Sequence, residues 1–205
     1  MTRVVICGIL ILTAAVAAAE PCTPLYDIAG NGGKAWLGIN ANGYVAGEGQ
    51  SFTVDCQATL ESVAFELVLD GLTWNGAPPL RAGNILIASV RMPAIGVTLG
   101  TVMLGIGFDV GTEWVTFDFS PYGISLTPGE YLVTCTPAGG GQGRLSYWQG
   151  DDSYAGGVRY LSQGGNVGPW VAIGPTSGDL AVKVQMNVPT PTETASWSEI
   201  KSLYR

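Results

Sequence analysis

The chain has 205 residues, of which 30 are glycine and 12 proline, with 47% hydrophobic and only 12% charged residues; such a composition folds but is rich in turns. It contains no histidine, which excludes Ser-His-Asp and Cys-His catalysis, imidazole zinc ligation, and any side chain that titrates near neutrality without help. A formal net charge of −7 disfavours nucleic acid and anionic membrane surfaces as partners.

Residues 1–19 read as a secretory signal peptide. Arg3 forms the positive n-region, Val4 to Val16 the apolar h-region, and Ala17-Ala18-Ala19 an A-x-A cleavage signal before Glu20. The apolar run is shorter than the roughly 20 residues a membrane anchor needs, and nothing further along the chain is apolar enough to span a bilayer, so export to the secreted or cell-surface compartment is expected. Cleavage removes one base and no acid, leaving 8 basic against 16 acidic residues. The mature size suits one β-domain, residues 20–188, followed by a linker and a tail. Three cysteines survive cleavage: Cys22, Cys56 and Cys135. An oxidising compartment permits a disulfide, and the favoured pair is Cys56 with Cys135, since each ends a well-patterned strand whereas Cys22 lies in the N-terminal lead. The other two pairings, or buried free thiols, remain open.

In chain order, weaker strands are expected at Lys34 to Ile39 and Gln50 to Cys56. A strongly alternating strand follows at Glu61 to Asp70, with Val63, Phe65, Leu67 and Leu69 on one face. The same period of two recurs at Asn84 to Met92 (Leu86, Ala88, Val90, Met92) and at Glu113 to Phe119 (Val115, Phe117, Phe119), with a weaker run at Val97 to Leu104 between them. Further strands read at Glu130 to Thr136, Arg144 to Trp148, Val158 to Leu161 and Trp170 to Ile173. The last, Asp179 to Val188, alternates Leu180, Val182, Val184 and Met186 with polar neighbours. Turn signals such as Asp70-Gly71, Asn75-Gly76 and Pro128-Gly129 separate them. Roughly ten short strands and no long helical pattern imply an all-β fold, an antiparallel two-sheet β-sandwich. Jelly-roll order is preferred to immunoglobulin order because the strand count exceeds seven.

Residues 189–195 form an extended Pro/Thr linker. After it, Ser196 to Glu199 resembles a capping box, with Trp197, Ile200 and Leu203 or Tyr204 at helical spacing in a short amphipathic tail, residues 196–205.

Secreted sandwiches include glycosidases, which need two carboxylates about 5 to 9.5 Å apart. The pairs Glu61/Glu66 and Glu113/Asp118 are five residues apart and point to opposite faces. Glu66 and Asp70 share a face but lie roughly 13 Å apart along the strand. No single strand supplies a dyad, and these acids read as the solvated side of half-buried strands. The richer candidate is the aromatic segment around Trp148, Asp151, Asp152 and Tyr154, followed by Tyr160 and, after a glycine loop, Trp170. Flat aromatic faces stack on sugar rings while carboxylates bond the hydroxyls, so these six residues make a candidate glycan platform, with core packing as the alternative for some of the rings. Since Tyr147 and Trp148 are adjacent, both cannot face inward from one regular strand. Asp151 and Asp152 lack the full D-x-[DN]-x-[DN]-G calcium pattern and read as a solvated turn. No cofactor or metal is called for.

Taken together, Gly49-Gln50-Ser51-Phe52-Thr53, the Leu60-x-x-Val63-x-Phe65 strand, Leu99-Gly100-Thr101, Leu126-x-Pro128-Gly129-x-Tyr131, Tyr154-Ala155-Gly156-Gly157 and Asp179-Leu180-Ala181-x-Lys183-Val184 resemble the secreted bacterial β-sandwich modules called choice-of-anchor domains, over about residues 45–188. That resemblance implies a non-catalytic extracellular module and transfers no catalytic residue. The terminal Trp197, Ile200, Lys201, Tyr204 and Arg205 are similar to the W-x-x-[IV]-K-x-x-[YF]-R tails of many exported bacterial proteins, which implies a sorting or attachment tag; a terminus docked on its own sandwich is the alternative. The leading expectation is therefore a secreted or surface-displayed module for attachment, scaffolding or glycan binding, its partner an extracellular glycan or cell-surface component. The alternatives are a carbohydrate-active hydrolase or lyase using carboxylates from separate strands, and a subunit of an extracellular assembly that uses an open sheet edge.

Overall fold

The computed structural model describes residues 25–39, 45–73, 76–94, 96–148, 154–174 and 178–189. The expected signal peptide, Asp151, Asp152, the linker beyond Pro189 and the tail with Trp197, Ile200, Lys201, Tyr204 and Arg205 lie outside them.

The described chain is an antiparallel β-sandwich. In order its strands are β1 (Leu25–Ile28), β2 (Gly33–Ile39), β3 (Val45–Val54), β4 (Ala58–Leu69), β5 (Ile85–Met92), β6 (Val97–Gly105), β7 (Gly111–Asp118), β8 (Ser125–Leu126), β9 (Gly129–Pro137), β10 (Gln142–Tyr147), β11 (Arg159–Ser162), β12 (Trp170–Ala172) and β13 (Val182–Asn187). Two strands escape the sequence pattern, β1 and β8, because pieces of four and two residues are too short to show a period. β1 lies in what the sequence presents as a lead; it is held in register by β13, with Tyr26 opposite Val184.

The first sheet is built on β4, which pairs with β7 and β8 along one side and with β13 and β10 along the other. In the second, β3 lies between β9 and β11, β9 continues to β5 and then β6, and β12 closes the opposite end. β3 links the two sheets: Val45 and Ala46 pair with β2, whereas Glu48 to Val54 pair with β9. Strands distant in sequence are neighbours, so the connections cross over rather than joining adjacent strands in turn.

The alternation decides what fills the interior. Val63, Phe65 and Leu67 of β4, Phe117 of β7, Val182 and Val184 of β13, and Leu86, Ala88 and Val90 of β5 belong to one buried core, with Phe52, Tyr131, Val133 and Cys135. Each large aliphatic or aromatic chain so removed from water contributes about 1.5–3 kcal/mol.

The expected Cys56–Cys135 disulfide does not form. Cys135 is a free, buried thiol, and Cys56 is disulfide-bonded elsewhere. Register gives the reason: Cys135 stands opposite Glu48, whereas Cys56 follows Val54, which stands opposite Gly129. The span from Glu48 to Val54 alone is about 20 Å of extended chain, and a disulfide tolerates roughly 7 Å between Cα atoms.

Candidate functional site

The two faces of the second sheet have different fates. Residues pointing inward from β3 and β11 include Glu48, Gln50 and Arg159, which are polar and still enclosed. Glu48 is 2% exposed and receives two hydrogen bonds from Arg159, Nε to Oε2 at 2.9 Å and Nη2 to Oε1 at 3.1 Å. The Arg159 guanidinium also lies 4.7 Å from the centroid of the Tyr147 ring. Burial pushes the Glu48 carboxyl above its ordinary value, and Arg159 pulls the other way. Beside this pair, Gln50 Nε2 donates to Asp179 Oδ1 at 2.8 Å while Gln50 Oε1 accepts from the Leu180 backbone at 3.0 Å. The network pins β11 and the segment entering β13 onto β3.

The outward face is covered by residues 163–169, which fold back over it. Ser89 Oγ donates to Asn166 Oδ1 at 3.0 Å, and Arg91 Nη2 donates to Asn166 Oδ1 at 2.9 Å and to the Asn166 carbonyl. Trp170 approaches β3 closely enough that a Cβ on Gly47 would stand 2.7 Å from Trp170 Cη2 and 2.3 Å from Thr136 Cγ2. Glycine at that position is what lets the indole approach the sheet.

Between this cover and the turn leading into β6 opens a cleft of about 480 Å³, within the range of small-ligand sites. Arg91 of β5, Glu130 and Leu132 of β9, Tyr160 of β11 and Trp170 of β12 line it, with Met92-Pro93-Ala94 and Val167-Gly168-Pro169 as its lips. The Arg91 guanidinium carbon is 5.7 Å from the Trp170 ring centroid. Arg91 Nε and Trp170 Nε1 are both buried and have no partner among the described residues. Burial lowers the Arg91 pKa from its ordinary value. Burial, and then the nearby Glu130 charge, raise that of Tyr160, so its phenol stays a donor well into the alkaline range. Two rings, a cation, a carboxylate and a phenol thus share one concave surface.

Of the six residues the sequence nominates as a glycan platform, the structure brings Tyr160 and Trp170 together in this cleft. Trp148 is not among its lining residues; it follows β10 and its backbone N–H donates to the Asp179 carbonyl at 2.7 Å. Tyr154 serves packing: its hydroxyl accepts from the Thr53 N–H at 3.1 Å, its backbone N–H donates to Asp179 Oδ2 at 2.9 Å, and its ring stands 5.6 Å from that of Tyr26. Asp151 and Asp152 lie outside the described residues. Arg91 and Glu130 are absent from the sequence reading because both sit on the polar side of alternating strands, where they look like ordinary solvated residues. The Arg91 side chain's position opposite Leu132, on the face that residues 163–169 cover, is the signal, and it exists only across strands.

No protein-family model matches this sequence, and no curated protein matches it. Among solved structures, one of the infectious bursal disease virus Gt strain is similar, at a TM-score of 0.30 and 14% identity, over 97% of this chain and 53% of that chain. This chain therefore spans about half the length of that one, and the similarity is too low to inform fold or function.

Proposed function

We propose that this protein is a non-catalytic β-sandwich module, exported to the cell surface or medium, that holds a saccharide in the cleft on the outer face of its second sheet. The observation that carries the reading is the convergence of Tyr160 and Trp170 with Arg91 and Glu130 on one cleft. Aromatic faces supply stacking for the apolar side of a pyranose ring, and the Glu130 carboxylate with the Tyr160 and Arg91 donors suits its hydroxyls. The likeness of residues 45–188 to choice-of-anchor modules and the signal-like residues 1–19 support the same reading, and the 196–205 tail fits an attachment tag. A hydrolase or lyase reading finds less support, because among the described lining residues Glu130 is the lone carboxylate where glycosidases use two.

A polysaccharide-binding screen by affinity electrophoresis, with wild type, Trp170→Ala, Tyr160→Ala and Trp148→Ala, tests it. Retardation by one glycan class that both cleft variants weaken about tenfold or more, and that Trp148→Ala leaves unchanged, is expected; one lost aromatic contact accounts for such a factor. No retardation by any glycan, or equal retardation of all four proteins, refutes the cleft as the site.

A further inference from the structure

Arg91 stands apart from the other cations of the fold. Arg144 and Arg159 each lie against a carboxylate, of Asp70 and Glu48, and the more exposed Lys34 and Lys183 reach Asp70 and Asp27. Arg91 is half-buried, yet among the described residues it forms no ion pair; Arg81, which forms none either, is exposed. An arginine does not shed the cost of burial by losing its proton, as a carboxylate does by gaining one, so an enclosed guanidinium calls for an anion. The fold gives it neutral contacts: Nη2 donates to Asn166, and the guanidinium carbon lies 5.7 Å from the Trp170 ring centroid. Nε is buried without a partner, and Nη1 makes no hydrogen bond among the described residues. Burial lowers the Arg91 pKa, with no neighbouring charge opposing the shift. Glu130 lines the same cleft, but its charge bears on Tyr160, and among the described residues it forms no ion pair with Arg91. The cleft thus has a cationic end beside Trp170 and an acidic end beside Tyr160.

We propose that Arg91 determines the specificity of the cleft and that the saccharide it selects is acidic, with the anionic oxygens of a uronate or a sulfate ester accepting from Nη1. This rests on the reading of the cleft as a saccharide site. Both groups take charge-assisted hydrogen bonds from a guanidinium, whereas a neutral sugar leaves the cation enclosed without a counter-charge. Asn166 and Trp170 hold the guanidinium in place beforehand, so little side-chain freedom is lost on binding. The net charge of the chain sharpens the contrast. With 16 acidic against 8 basic residues in the mature protein, polyanions are repelled from the surface at large, and retention of one reports a local cationic site.

The test is affinity electrophoresis of the mature chain, residues 20–205, in uronate polymers (polygalacturonate, alginate) and a sulfated one (dextran sulfate), each beside its carboxyl-reduced or desulfated form, with neutral polysaccharides alongside. Retardation by an acidic polymer and not by its neutral form is expected, and whether the uronates or the sulfated polymer retard identifies the anionic group. Arg91→Gln, with circular dichroism as the check on its fold, is expected to weaken that binding about tenfold or more. Raising ionic strength from about 0.01 M to about 1 M is expected to weaken it as well, since the screening length falls from about 30 Å to about 3 Å. Equal retardation by an acidic polymer and its neutral form, a comparison that needs no variant to fold, overturns the proposal. So does retardation by a neutral glycan that Trp170→Ala weakens and Arg91→Gln does not; both results leave the cleft reading standing. Retardation by no glycan, or retardation that neither Trp170→Ala nor Tyr160→Ala weakens, refutes the cleft as the site and this proposal with it.

Discussion

Replacing Arg159 by methionine tests whether the buried ion pair holds the cleft wall in place. Arg159 opens β11, the strand that carries Tyr160 and pairs Tyr160 with Ala172 of β12. Its partner Glu48 is 2% exposed, and the arginine side chain 12%. Removing one member of a buried pair leaves a charge without compensation, which costs about 3–5 kcal/mol. For a domain of this size that corresponds to a fall in Tm of about 6–20 °C. The pH dependence follows from the direction of the Glu48 shift. Burial already raises its pKa above the ordinary 4.5, and losing the cation raises it further. A carboxyl whose folded pKa exceeds its unfolded value gives stability that is full below the unfolded value and is lost as pH rises through the folded one. The gap between wild type and Arg159→Met in urea denaturation should therefore be small near about pH 4 and widen toward neutrality. Adding Glu48→Gln to the variant should recover a substantial part of the neutral-pH loss, since it removes the stranded charge. A gap under about 1 kcal/mol that does not change with pH would refute the reasoning, because an exposed pair behaves that way.

Two further outcomes follow from the same structure. The mature protein, unfolded without reductant, should titrate as one free thiol, Cys135, and Cys22 is then the mature-chain cysteine left to pair with Cys56; in the native state the count should fall to none, because Cys135 is buried and its thiol pKa is pushed up by burial and by the neighbouring Glu48 charge. Three thiols, or a Cys56–Cys135 peptide in a digest, would overturn this. Tyr26 packs against Phe52 at 5.4 Å between ring centroids, and its hydroxyl donates to the Thr53 carbonyl; burial first, then the Tyr154 and Asp55 charges, push its pKa from 10.0 up to about 12. The neutral phenol is the form the fold prefers, so this contribution is present below about pH 10 and is lost as pH rises toward 12. Tyr26→Phe should flatten the alkaline limb of a thermal-stability profile, and an unchanged limb would assign that limb to other groups.

What the sequence settles by itself is the longer strands and their inward faces, though not β1 and β8. The alternation in Glu61 to Asp70 and in Asp179 to Val188 assigns Val63, Phe65, Val182 and Val184 to the core because side chains of a strand alternate strictly between faces, and glycine and proline mark where strands end. Tyr160 and Trp170 also stand out in the sequence, as aromatics on either side of a glycine loop in a chain with few charges. Which strands are neighbours was not legible, because pairing depends on contacts between residues far apart in sequence. That is why Cys56 and Cys135, each near the end of a strong strand, fall at separate places along the β3–β9 ladder. It is also why Glu48 and Arg159, polar residues a solvent-facing reading would expose, end up enclosed together. The cleft itself belongs to tertiary structure: Arg91 and Glu130 become part of a site only because residues 163–169 fold over the outer face and turn a flat sheet into a concave one. Local sequence fixes a side chain's face, and only the packing of distant segments determines whether that face meets water, core or a cavity.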